Sequence, residues 1–72
     1  MQDLEKRTMT LNLTVREMAV LEALASKKDL SKTAVMRLAL RLLQAVDAKI
    51  HLGQKLMLED ERTKEKTELV LL

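Results

Sequence analysis

The sequence predicts a mostly α-helical fold that opens with one short β-strand and is completed by a second copy of the chain. Three observations predict it. From Thr8 to Leu13, polar and apolar residues alternate strictly, the period of a half-buried strand. Two helical stretches follow, each preceded by a hydroxyl residue suited to cap it. The second stretch is apolar around well more than half its circumference, more than one short helix can cover.

Size and composition make the second copy necessary. A chain of 72 residues forms one thin domain, and a lone domain of that size normally needs a staple or a partner. There is no Cys for a disulfide and no Phe, Tyr or Trp to anchor a core, yet 47% of the residues are hydrophobic. Abundant aliphatic residues with nothing large to pack on point to a core shared between chains. The absence of Cys fits a reducing compartment, and Met1 to Lys6 contain no apolar stretch of the signal-peptide kind. No run approaches the length of a membrane span. A cytoplasmic protein without a membrane partner is therefore expected.

In the strand, Thr8, Thr10 and Asn12 point one way and Met9, Leu11 and Leu13 the other. A lone strand leaves its backbone groups unpaired, and the nearest partner is the same strand of a second subunit. Thr14-Val15-Arg16-Glu17 then has the form of a capping box, which starts a helix from Val15 to about Lys28. Met18, Leu21 and Ala25, flanked by Val20 and Leu24, make its apolar stripe, and Lys27 and Lys28 sit in its last turn, where the helix dipole favours cations. Asp29-Leu30-Ser31 breaks the chain, and Ser31 caps a second helix over residues 32 to about 52. Its apolar positions include Val35, Leu38, Ala39, Leu42 and Val46, which with Met9, Leu11 and Leu13 form the expected dimer core. Arg37, Arg41 and Gln44 make the narrow solvated strip.

Gly53 is placed to end the second helix in the left-handed conformation, dividing residues 1–53 from a C-terminal extension, residues 54–72. In the extension Leu56 and Leu58, then Leu69 and Leu71, alternate on either side of a charged tract. That pattern predicts a β-hairpin with a loop around Arg62, Thr63 and Lys64, although Asn-Gly and Asp-Gly turns are absent. The alternative is a frayed helical or disordered tail.

The net charge of +2 does not by itself indicate nucleic acid. Its distribution adds a little: residues 1–50 carry nine Lys or Arg against six acids, and a dimer doubles that excess. The order of elements carries more. Strand, tight turn, capped helix, short loop and longer apolar helix together resemble the ribbon-helix-helix family of DNA-binding proteins, which includes the Arc and methionine repressors. The resemblance covers residues 6 to about 51. It rests on Lys6-Arg7-Thr8-Met9-Thr10-Leu11-Asn12-Leu13-Thr14 and on Asp29-Leu30-Ser31-Lys32-Thr33-Ala34-Val35-Met36. The second stretch departs from the family in having Asp29 where a glycine is usual.

The resemblance implies an intertwined ribbon-helix-helix homodimer whose two N-terminal strands pair and enter the major groove of double-stranded DNA. It assigns base contacts to Thr8, Thr10 and Asn12, and a phosphate to Ser31, Lys32 and Thr33 at the start of the second helix. The chemistry of the residues agrees. Asn can bond bidentately to adenine, and Thr can bond a base edge while its methyl meets the methyl of thymine. Free amides at a helix start favour an anion. Lys6 and Arg7 flank the strand and can reach the DNA backbone. No Arg or Gln occupies an outward strand position, so strong guanine reading is not expected. Read alone, the outward Thr and Asn suit a solvent-facing strand as well, because Thr favours strands; the helices that follow tip the reading to base contact.

Other classes fare poorly. His51 is the single histidine and there is no Cys, so no metal site is expected. No nucleophile–base set, carboxylate pair or Gly-rich phosphate loop is present, and neither an enzyme nor a cofactor is expected. The five Met are read as core filler. The main reading is a transcriptional repressor, a homodimer that stacks side by side on longer operators. Two others stand beside it: an antitoxin whose residues 54–72 hold a toxin as protein partner, and an accessory DNA-binding protein of plasmid transfer or partition.

Overall fold

The computed structural model describes residues 4–70. Two helices and one hairpin follow in order: α1 (Val15–Lys28), α2 (Lys32–His51), β1 (Met57–Glu59) and β2 (Lys66–Glu68). Leu71, the last of the alternating leucines, lies outside the described residues.

Local chemistry sets each boundary. At the start of α1 the Glu17 amide donates to Thr14 Oγ1 (3.1 Å) and the Thr14 amide donates to Glu17 Oε1 (2.9 Å). Two donors that the helix leaves without intrahelical acceptors are thereby satisfied. Thr14 itself is extended (φ −64°, ψ 163°), so the chain enters the helix from an extended direction. At the other end Asp29 takes the left-handed conformation (φ 54°, ψ 46°). The Leu30 amide donates to the Ala25 carbonyl (2.9 Å) and the Asp29 amide to the Ser26 carbonyl (3.2 Å), the double closure of a Schellman motif. Asp29 thus does the work for which a glycine is usual. Gly53 (φ 85°) repeats the device after α2, with the Gln54 amide on the Lys49 carbonyl (3.1 Å) and the Gly53 amide on the Ile50 carbonyl (2.9 Å).

The hairpin pairs β1 and β2 antiparallel, with Met57 opposite Glu68, Leu58 opposite Thr67 and Glu59 opposite Lys66. The Leu69 amide continues the pairing to the Leu56 carbonyl (2.8 Å). The turn is built on Asp60, whose Oδ1 accepts from the amides of Arg62 (2.9 Å) and Thr63 (3.2 Å). Its carbonyl accepts from the Lys64 amide (2.7 Å), and Lys64 is left-handed (φ 64°). A side-chain acceptor at the head of the loop replaces the missing Asn-Gly turn.

The core is small. Among the described residues only Leu21, Ala25, Val35 and Val46 are buried. Leu21, Ala25 and Val35 pack α1 against α2, with Leu13 packed against them. The accessible surface of the chain is 7355 Å². A compact monomer of 8.2 kDa exposes about 4,500 Å². The radius of gyration, 15.6 Å, likewise exceeds the roughly 11 Å of a compact chain of this length. Several of the exposed residues are large and apolar: Leu38, Leu40, Leu42 and Leu43 on α2, and Met9 and Leu11 before α1. The expected dimer core therefore divides in two. Leu13, Val35 and Val46 are covered at least in part within the chain, whereas Met9, Leu11, Leu38, Ala39 and Leu42 are exposed.

Residues 8–13 belong to no strand of the single chain. A strand is defined by its ladder, and among the described residues β1 and β2 pair only with each other. The ladder expected for residues 8–13 needs a second copy, which one chain cannot supply. No helix among the described residues is long and apolar enough to cross a membrane.

Candidate nucleic-acid interface

The N-terminal segment is fixed at one end. Leu13 packs on the α1–α2 core and Thr14 is locked by the capping box, so the segment leaves the helical unit from a defined point. Ahead of that anchor Thr8, Thr10 and Asn12 are exposed. So are two of their three apolar alternates, Met9 (78% exposed) and Leu11 (51%). Both faces of the segment before Leu13 are thus free in one chain. For the polar face that is what base contact requires. For the apolar face it is an unfavourable exposure, removed only when another surface covers it.

The second cluster lies at the start of α2. The Ala34 amide donates to Ser31 Oγ (3.0 Å), so the Ser31 side chain caps the helix in the ordinary way. Lys32 and Thr33 are the first two residues of α2, whose amides have no acceptor inside a helix. Together with the helix dipole they form a weakly electropositive end. Lys32, however, is already engaged: its Nζ lies 3.3 Å from Oε2 of Glu22 on α1. Both side chains are more than half exposed, so the pair contributes only about 0–1 kcal/mol. Arg7 is similarly paired with Glu5 at 3.4 Å, while Lys6 is exposed.

The predicted residues thus fall in two groups. Thr8, Thr10 and Asn12 stand on the segment before α1, and Ser31, Lys32 and Thr33 stand at the start of α2 with Leu13 and Val35 packed in the core behind them. Glu22 is the residue that sequence reasoning missed. Its sign opposes a phosphate at Lys32, and nothing in the local sequence indicates that the two helices bring them together. Among the described residues no cluster of His, Cys, Asp or Glu is arranged to hold a metal ion. Comparison of the chain with protein-family models, with curated proteins and with solved structures gave no match.

Proposed function

We propose that the chain is a homodimeric, sequence-specific double-stranded DNA-binding protein of ribbon-helix-helix type, acting in the cytoplasm as a transcriptional repressor. One observation carries the reading. An alternating segment, anchored by Leu13 and Thr14, exposes Met9 and Leu11 and has no strand partner among the described residues of its own chain. Pairing with the same segment of a second copy satisfies its backbone and brings two sets of apolar side chains together over the helices. The opposite face of that ribbon carries Thr8, Thr10 and Asn12 twice, related by a two-fold axis, and a two-stranded ribbon fits the major groove.

The excess surface supports the dimer independently. An exposure about 2,800 Å² per chain above that of a compact monomer, doubled over two chains, lies at the upper end of what obligate homodimers bury. At the start of α2, Lys32 and the free amides hold a phosphate and set the register, without reading sequence. The antitoxin reading favours a tail that acquires structure only on a partner; the hairpin forms in the single chain but does not pack on its own helices.

Selection of bound sequences from random duplex DNA tests the proposal. The expected result is an enriched motif with two-fold symmetry. Failure to enrich any motif at low salt, from a folded protein, overturns it.

A further inference from the structure

The hairpin presents a second problem of coverage. Leu56 and Leu69 are paired across it, and Leu58 stands two residues along β1 from Leu56, so the three share one face. The other face carries Met57, Glu59, Lys66 and Glu68, with Lys55 Nζ 3.7 Å from Glu68 Oε1. The leucine face is thus the more apolar, interrupted by Thr67 opposite Leu58, and the other is mainly ionic. A two-stranded sheet is marginal in water unless its apolar side is covered. Neither strand packs on α1 or α2 of its own chain, and all six strand residues are exposed. Between the end of α2 and the hairpin lies an open groove of about 280 Å³, lined chiefly by Ala45, Val46, Ile50 and Leu56.

We infer that the hairpin is a dimer clasp: its Leu56–Leu58–Leu69 face and the adjoining groove receive α2 of the second copy within the same dimer. This rests on the dimer part of the function proposed above and does not depend on DNA. Three features choose this occupant. The groove continues, through Val46 and Ile50, the apolar side of α2 on which Leu38 and Leu42 stand exposed. The chain thereby carries both a receiving groove and an uncovered apolar ridge, so a two-fold pair supplies two of each and closes without remainder. The surface in excess of a compact monomer is also too large for the N-terminal ribbon alone. Six-residue strands that pair bury only a fraction of about 2,800 Å² per chain.

The test uses the full chain with a photo-reactive residue in place of Leu58, which is 57% exposed and so replaceable without disturbing its own chain. Isotope-labelled and unlabelled copies are mixed, irradiated and mapped by mass spectrometry. The expected cross-link joins a labelled to an unlabelled chain, lands in residues 32–51, and occurs in a species with the mass of two chains. In parallel, Leu58→Asp is expected to raise the dimer dissociation constant by about tenfold or more, with helix content at high concentration unchanged. Cross-links confined to one copy, cross-links to the hairpin of the second copy, or a wild-type species of four chains overturn the clasp. So does an unchanged dissociation constant in Leu58→Asp. The two proposals fail separately: a mapped clasp in a protein that enriches no DNA motif removes the DNA reading alone, and an enriched motif without the cross-link removes the clasp alone.

Discussion

Lys32 Nζ lies 3.3 Å from Glu22 Oε2, tying the start of α2 to the middle of α1 at the point proposed to hold a phosphate. The pair presets the lysine's position in the free protein. It also sets a carboxylate beside an incoming phosphate. Lys32→Ala is therefore expected to weaken binding to all DNA sequences about equally and to reduce the salt slope by roughly one ion. Glu22→Gln is expected to act in the opposite direction, tightening binding a few-fold with the preferred sequence unchanged. Titrations of each variant on one specific and one random duplex, at several salt concentrations, check both.

Asp29 offers a second test, because it holds the left-handed position after α1 (φ 54°). Glycine adopts that conformation without steric cost, and its use here also removes a negative charge two residues before the Ser31 cap. Asp29→Gly is expected to stabilise the protein by about 0.5–1 kcal/mol. Urea unfolding at fixed protein concentration reads the change. A loss of stability contradicts the assignment of Asp29 as a strained cap.

Much of this was legible in the sequence because it is local. The capping box at Thr14, the Ser31 cap and the Gly53 stop each depend on residues a few positions apart, and the helices end within a residue of where those signals put them. The hairpin was legible from the alternating leucines, but its turn was not. Asp60 sits inside a charged tract and looks like any other solvated acid until its carboxylate is seen holding the amides of Arg62 and Thr63. Glu22 was missed for a different reason: its meeting with Lys32 depends on how two helices cross, which spacing within either helix does not encode. The ribbon stands apart from both, since every hydrogen bond of its ladder would cross to another molecule.

Leu42 separates a monomer from a dimer. It is 64% exposed in the single chain, where an Asp at that position would be nearly neutral. In the proposed dimer the same substitution buries an unpaired charge twice, once on each side of the axis. Leu42→Asp is expected to abolish association and to lower stability by several kcal/mol. Ultracentrifugation and thermal unfolding check it, and a variant as stable and as associated as the wild type contradicts the shared core.

In the proposed dimer the exposed polar residues of the N-terminal segment read DNA. Replacing Thr8, Thr10 and Asn12 together by Ala leaves Met9, Leu11 and Leu13 in place, so the fold and the dimer are expected to persist. The direct measurement is the ratio of affinities for the selected sequence and for random duplex, compared between the wild type and this triple variant. Each good base contact contributes on the order of 1–3 kcal/mol of discrimination, so the ratio is expected to fall close to one while weak, salt-sensitive binding remains. A triple variant that stays dimeric and keeps the wild-type ratio contradicts the claim, and the reader of the sequence must then lie elsewhere on the chain.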